Sequence, residues 1–120
     1  RRFAEMFANA RLENEGFGAR RVLSDLRNKQ VPAQLAEQAV RKIYGASDET
    51  EFISRYLERK YRGQDLAVYL AEEKHLASAF RRLRTAGFGA AACIKVLRRY
   101  ASQAEELEGM DENETTTQED

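Results

Sequence analysis

The apolar positions of this chain recur every three or four residues, and no stretch alternates with a period of two. This spacing is typical of amphipathic helices and does not favour strands. Proline occurs once, and residues with high helix propensity dominate the chain. The pattern therefore predicts an all-α fold with six helices. Four of them lie at about 3–14, 19–29, 66–86 and 90–102, the third begins at Pro32 and ends at Gly45, and the fourth lies between a cap at Ser47 or Asp48 and Gly63.

Glycine, proline and capping residues mark the ends of these helices. Gly16 is expected to end the first helix in a left-handed conformation, and Gly18 to act as the N-cap of the second. Pro32 suits the first position of the third helix, because the missing N–H would have no partner there. Gly45 and Gly63 are expected to end the third and fourth helices.

The second half of the chain carries further start signals. Ser47 or Asp48 is expected to cap the fourth helix, and Asp48 with Glu51 resembles a capping box. Asp65 is expected to start the fifth helix. The polar run Glu72-Glu73-Lys74 indicates a possible break within it.

The same periodicity predicts which side chains are buried. On the first helix the stripe contains Phe3, Phe7 and Ala10, with Met6 beside it. The other predicted core positions are Val22, Leu23, Leu26, Leu35, Ala36, Ala39, Val40, Ile43, Phe52, Ile53, Tyr56, Leu57, Leu66, Tyr69, Leu76, Phe80, Leu83, Cys93, Ile94, Leu97 and Tyr100.

A short phrase repeats seventy-one residues apart, at 16–19 and 87–90, with the sequence Gly-Phe-Gly-Ala in both places. Each copy joins two predicted helices by a tight turn. In each turn the phenylalanine precedes the N-cap by one residue and faces an apolar N4 residue, Val22 or Cys93, which is the spacing of a hydrophobic staple. The repeat predicts two tandem three-helix units, at 1–45 and 46–103, which stack because neither buries its apolar face alone.

The net charge of zero conceals a strong segregation. All twenty Lys and Arg residues lie within 1–100, which contains twelve Asp and Glu and therefore carries +8. Residues 101–120 contain eight acidic residues and no basic one. Segment 104–120 is almost free of large apolar side chains, so we expect a disordered acidic tail. A basic body favours a polyanionic partner over a small metabolite.

The composition offers little for catalysis. The chain has one histidine, His75, and one cysteine, Cys93, so no His/Cys metal cluster is expected, and no phosphate-binding loop motif is present. We expect His75 to lie at the surface or in helix packing, and Cys93 in the core. We therefore expect no enzyme activity, no metal and no cofactor. The lone cysteine fits a reducing, cytoplasmic compartment, and no segment is apolar enough to span a membrane.

Basic residues are the candidates for a binding function. Lys95, Arg98 and Arg99 share one face of the sixth helix, and the preceding turn should bring them near the arginines at the end of the fifth helix. Arg21 is set aside, because Asp25 four residues later is expected to pair with it. The predicted contact residues are Arg81, Arg82, Arg84, Lys95, Arg98 and Arg99, followed by Arg11, Arg20 and Arg27. A further group, less favoured, is Arg55, Arg59, Lys60 and Arg62.

The order of these motifs resembles the RecX family of recombinase regulators. The resemblance covers about residues 1–100 and depends on the order and spacing of the motifs. It begins at the family's second repeat, so we expect no counterpart of the first three-helix repeat. Its residues are Arg2 to Phe7, Arg11-Leu12, Gly16 to Val22, Leu26, Val31-Pro32, Ala39, Arg59-Lys60-Tyr61, Arg81-Arg82-Leu83, Ala86 to Gly89, Ile94 and Leu97.

The resemblance implies a monomeric, non-enzymatic protein that docks in the groove of the RecA–single-strand DNA filament and restrains ATP hydrolysis and strand exchange. Contacts to single-strand DNA would be electrostatic and independent of sequence. Two alternatives remain. One is a helix-turn-helix module that reads duplex DNA with Arg20, Ser24, Arg27 and Asn28, and the other is a helical adaptor for an acidic protein. A further hypothesis is that the acidic tail folds back over the basic body.

Overall fold

The computed structural model describes residues 2–45 and 49–101, and all regular structure in these two ranges is helical. The elements are α1 (Arg2–Ala10), a π-helical turn (Arg11–Glu15), α2 (Ala19–Asn28), α3 (Ala33–Tyr44), α4 (Thr50–Lys60), α5 (Leu66–Tyr69), α6 (Glu73–Thr85) and α7 (Ala90–Leu97). The predicted all-α fold is confirmed. We refer to residues 2–45 as unit 1 and to residues 49–101 as unit 2.

Most of the predicted helix ends are confirmed. Gly16 adopts a left-handed conformation with φ +72°, and Gly18 is the N-cap of α2. Gly45 follows the last residue of α3. The side chain of Asp65 accepts a hydrogen bond from the amide of Ala67 and so caps α5. The predicted fifth helix is interrupted, as its polar middle indicated, and continues as α6 from Glu73.

Other ends differ from the sequence prediction. Pro32 is the N-cap of α3 and not its first residue. The N-cap of α4 is Glu49, whose side chain makes no capping hydrogen bond, while Ser47 and Asp48 lie outside the described residues. α4 ends at Lys60, before Gly63, and α7 ends at Leu97, earlier than residue 102. The predicted acidic tail, 104–120, also lies outside the described residues.

The two Gly-Phe-Gly turns close differently. After α6, the amide of Phe88 donates to the carbonyl of Leu83 and that of Gly87 to Arg84, which is a Schellman motif around a left-handed glycine. In unit 1 the amide of Phe17 donates to the carbonyl of Arg11 at 3.4 Å, one residue wider. The helical segment before the first Gly-Phe-Gly turn therefore ends in a π-helical turn, Arg11–Glu15.

The buried face of α1 is not the predicted one. Phe3 and Met6 are 53% and 65% exposed, whereas Ala4 and Ala8 are almost fully buried. α1 packs against α3, where Ala36 and Ala39 are also buried. Small side chains at i, i+4 on one helix and i, i+3 on the other let the two helices approach closely, so the aromatic stripe lies beside the contact and not in it.

The two units bury separate apolar clusters that meet at two aromatic side chains. The core of unit 1 contains Ala4, Ala8, Val22, Leu26, Ala36, Ala39 and Tyr44. The core of unit 2 is larger, extends from Ile53 to Ala101, and includes Phe88 and the buried thiol of Cys93, which confirms the core position predicted for this cysteine. Phe17 and Phe52 pack against both clusters. The phenylalanine of the first repeated turn therefore joins the two cores.

A row of rings holds the short α5 in place. Tyr69 stacks on His75 at a centroid distance of 4.0 Å and contacts Tyr61 at 5.2 Å. His75 Nδ1 lies 3.1 Å from the carbonyl oxygen of Tyr69. Because that oxygen can only accept, Nδ1 carries the proton of the hydrogen bond. His75 thus takes part in helix packing, as predicted.

Candidate functional site

The two repeated turns lie against each other and form the junction between the units. The amide of Gly18 donates to the carbonyl of Ala86 at 2.7 Å, and that of Arg20 donates to Gly87 at 3.2 Å. The first amides of a helix have no partner within the helix, and neither do the last carbonyls. The amino end of α2 and the carboxyl end of α6 therefore satisfy each other across the junction.

The glycines of the junction are required for this close approach. A Cβ atom on Gly18 would lie 2.5 Å from the carbonyl oxygen of Gly87, and one on Gly87 would lie 2.4 Å from Cβ of Arg21. Gly87 also has φ +107°, a conformation that other residues rarely adopt. Any side chain at these two positions would force the backbones apart.

Side chains on both sides reinforce the junction. Arg59 of α4 donates to the carbonyl of Asn14 at 2.6 Å, and Arg21 of α2 donates to the carbonyl of Thr85 at 3.2 Å. Within unit 1, the hydroxyl of Tyr44 donates to the carbonyl of Phe17 at 2.6 Å, and burial raises the pKa of this tyrosine. These contacts hold the Phe17 segment in a fixed position against α4.

A cleft of about 360 Å³ opens at the junction, and we call it the inter-unit cleft. Its lining residues are Asn14, Glu15, Phe17, Tyr56, Arg59 and Lys60. Burial raises the pKa of Tyr56, and the positive charges of Arg82 and Arg21 partly oppose this shift. The cleft therefore combines two aromatic side chains with the guanidinium and ammonium groups of Arg59 and Lys60 on α4. Arg82 of α6 and Arg21 of α2 do not line it, but their charges act on Tyr56.

Two carboxylates near the cleft, those of Glu15 and Asp25, are engaged with other cations. Glu15 pairs with Arg11 at 2.5 Å, and Asp25 lies 3.8 Å from both Arg11 and Arg21. Asp25 Oδ2 is buried without a hydrogen bond, so these two guanidinium groups compensate its charge. By contrast, Arg59 and Lys60 make no ion pair with a carboxylate of the described residues.

The three arginines predicted on α6 occupy different environments. Arg82 is exposed and lies over the ring of Tyr61, 6.0 Å from its centroid. Arg84 is half-buried and donates to the carbonyl of Phe88 at 2.9 Å, so it braces the second repeated turn. Arg81 is exposed on the outer surface of the helix. The positive charge of Arg82 acts on Tyr56, which lines the cleft.

The cations predicted on the last helix lie on and just beyond α7. Lys95 is exposed on the helix itself. Arg98 and Arg99 follow its last residue and are also exposed. Arg99 donates to Ser54 Oγ on α4 at 3.5 Å. α7 packs against both α4 and α6, so these cations belong to the surface of unit 2.

The predicted contacts in unit 1 are dispersed. Arg11 is paired with Glu15 and Asp25 and lies over the rings of Phe7 and Phe17. Arg20 is exposed, and its guanidinium would lie 3.2 Å from a Cβ on Gly89, so it extends toward unit 2. Arg27 donates to the carbonyl of Val31 at 2.8 Å and lies at the other end of α2.

Sequence reasoning placed Arg21, Arg59 and Lys60 outside the preferred set. The predicted pair of Arg21 with Asp25 is present, but the same guanidinium also reaches Thr85 and lies 4.1 Å from the Phe17 ring centroid. Only the juxtaposition of the two units reveals this second role. For Arg59 and Lys60 the signal was present in the basic group at the end of the fourth helix, although nothing in the sequence linked that group to Phe17.

Unit 2 covers the amino end of α2, the helix that would read duplex DNA in the helix-turn-helix alternative. Arg20, Ser24, Arg27 and Asn28 are exposed, as predicted. A recognition helix, however, contacts base edges mainly with its amino-terminal residues. Here the amides of Gly18 and Arg20 donate to the carbonyls of Ala86 and Gly87, which directly follow α6. The arrangement therefore disfavours insertion of α2 into a major groove.

The described residues contain no group of three or more His, Cys, Asp or Glu side chains placed to hold a metal ion. No helix among them is both long enough and apolar enough to cross a membrane. The groups that this part of the chain presents for binding are positively charged side chains, backbone N–H donors and aromatic rings.

Comparison with protein-family models gives a match at the start of the chain. Residues 1–40 match a family model described as RecX, second three-helix domain. The matched range is a third of the chain and contains α1, α2, the first repeated turn and most of α3. No curated protein and no solved structure matches the chain significantly. The match agrees with the resemblance drawn from the residue pattern.

Proposed function

We propose that this chain, whose residues 1–40 match the RecX family model, acts as a RecX-type regulator of the RecA recombinase by docking in the RecA–single-strand DNA filament. In this proposal it restrains ATP hydrolysis and strand exchange. Its role is electrostatic and positional, and no covalent bond is made or broken. The contacts to DNA are made to phosphates and are independent of base sequence.

The observation that carries the proposal is the hydrogen-bonded junction between the units. Arg20 and Arg21 of unit 1 lie against the second repeated turn, while Arg59 of unit 2 bonds to unit 1. The basic residues of both units are thus held on one body. Forked guanidinium donors suit phosphate and carboxylate groups alike, so such a body fits a filament of protein and DNA.

The direct test is the rate of DNA-dependent ATP hydrolysis by RecA, measured with and without the protein. We expect the protein to lower this rate, and the Arg98→Glu, Arg99→Glu variant to do so less effectively. A matched control is Arg41→Glu, Lys42→Glu on α3, since it changes the charge equally at two adjacent exposed positions.

Three results would count against the proposal. The first is an unchanged hydrolysis rate over a wide range of protein concentration. The second is an equal loss of effect in the two charge-reversal variants, because net charge alone would then explain binding. The third is preferential binding to bare duplex DNA in competition with the filament, which would favour the helix-turn-helix alternative. Binding to an acidic protein that survives nuclease treatment and needs no filament would favour the adaptor.

A further inference from the structure

The acidic segment at the end of the chain is complementary in charge to the basic residues of the inter-unit cleft. Residues 105–120 carry eight carboxylate side chains and no basic side chain. We propose that this segment, which lies outside the described residues, docks into the inter-unit cleft of its own chain and competes there with polyanionic partners. Only the competition rests on the proposed function; the docking itself does not.

The cleft offers the charge that such a segment requires. Arg59 donates to a neutral carbonyl, and Lys60 is exposed, so neither charge is compensated by a carboxylate of the described residues. Arg82 adds a third positive charge close to Tyr56. The acidic residue within the cleft, Glu15, is held by Arg11. An incoming carboxylate therefore meets a surplus of positive charge beside two aromatic faces.

The segment can reach the cleft from the point where the described residues end. Ala101 is buried in the core of unit 2, and α7 packs against α4, whose last residues line the cleft. Nineteen residues follow Ala101. At about 3.3 Å per residue they span up to roughly 60 Å, which exceeds the longest dimension of the molecule, 43 Å.

Attachment to the same chain makes even weak docking effective. A connection of this length gives an effective concentration on the order of millimolar. A segment whose dissociation constant lies between that value and about a tenth of it is then bound for about half to nine tenths of the time. The apparent affinity of a competing polyanion falls by about two- to tenfold under these conditions.

The location of the segment is tested with a spin label at position 116, introduced as Thr116→Cys in the full chain. Cys93 is buried and should stay unlabelled in the folded protein. We expect enhanced relaxation of the amides of Tyr56, Arg59 and Lys60, with loss of the effect at about 0.5 M salt because exposed charges are then screened. The effect should also disappear in Lys60→Glu, Arg82→Glu and persist in Arg41→Glu, Lys42→Glu.

Two outcomes overturn the proposed location. Relaxation that is evenly spread or concentrated on another surface means that the segment does not dock in the cleft. Relaxation of an isotope-labelled, spin-free protein mixed with a spin-labelled one means that the segment docks on a second copy.

Competition is tested with oligothymidylate and the full chain in which the eight carboxylates of 105–120 are replaced by their amides. We expect about two- to tenfold tighter binding at low salt. The gain should vanish in the Lys60→Glu, Arg82→Glu background and remain in the Arg41→Glu, Lys42→Glu background. An equal gain in both backgrounds would reveal a general charge effect and overturn the competition. RecA is absent from both assays, so their outcome is independent of the hydrolysis test.

Discussion

The substitution Gly18→Ala is expected to disrupt the junction between the units, and its counterpart Gly89→Ala provides a matched control. Both glycines are the third residue of a repeated turn, both are N-caps, and both have extended backbone, with φ −81° and −71°. The loss of N-cap preference on changing glycine to alanine is therefore the same at the two positions. The atoms that a new methyl group would meet differ between the two positions. The difference in stability between the two variants therefore measures the contribution of the close approach at Gly18.

At Gly18 the new methyl group would lie 2.5 Å from the carbonyl oxygen and 2.7 Å from the carbonyl carbon of Gly87. Backbone atoms cannot move aside as a side chain can, so the two turns must separate. Overpacking of this kind costs about 1–3 kcal/mol. Separation also weakens the hydrogen bonds from Gly18 and Arg20, at about 1 kcal/mol each. At Gly89 the nearest atom is Nη2 of Arg20, at 3.2 Å, at the free end of a flexible side chain.

We expect Gly18→Ala to lower the free energy of unfolding by about 2–4 kcal/mol more than Gly89→Ala does. Urea unfolding followed by far-ultraviolet circular dichroism measures this difference. Loss of the junction should also separate the unfolding of the two units into distinct transitions. If the two variants are equally stable to within about 0.5 kcal/mol, the close approach of the turns does not hold the units together.

Two further predictions concern side chains of the junction. Arg59→Met should lower the free energy of unfolding by about 1–2 kcal/mol, measured in the same urea titration, because the hydrogen bond to Asn14 is lost. The control is Arg55→Met, one turn earlier on α4. Arg55 pairs with the exposed Glu51, so its loss should change the free energy of unfolding by less than about 0.5 kcal/mol. Similar losses in both variants would contradict the bridging role of Arg59. Burial raises the pKa of Tyr44 above its ordinary value of 10.0. The unfolded chain therefore loses this proton at lower pH than the folded protein, and the free energy of unfolding should fall as the pH rises above about 10. Tyr44→Phe should be less stable at pH 7 but should lose less stability between pH 9 and 11, and parallel pH profiles of the two proteins would refute this assignment.

Local signals in the sequence predicted the helices and many of their ends. Gly16, Gly45 and Asp65 act at the positions that their conformational preferences indicate. The break before α6 follows from the polar residues at 72–74, which provide no apolar stripe to bury. Features of this kind depend on neighbours within one or two turns, and such neighbours are visible in the sequence.

The contact between the repeated turns could not be predicted in the same way. The repeat indicated that each Gly-Phe-Gly forms a turn, and a glycine needed for a turn looks the same as one needed for close approach. Gly87 serves both purposes, whereas Gly18, with negative φ, serves only the second. On α1, hydrophobicity favoured Phe3 and Met6, while the distance between α1 and α3 selected Ala4 and Ala8. Both outcomes depend on how helices distant in sequence pack.

The junction also determines which cations act together. Arg20 and Arg21 precede Arg82 by about sixty residues, and two loosely joined units would present them to a polyanion independently. Because the backbones are bonded at Gly18 and Arg20, the relative positions of these charges are fixed before any partner binds. A preorganised surface loses less freedom on binding than a flexible one with the same charges. The Gly18→Ala variant keeps every charge but loosens their arrangement. Its affinity for a polyanion should therefore be lower. The dependence of affinity on salt concentration reports the number of phosphates neutralised. This dependence should decrease only if one of the two units no longer contacts the polyanion.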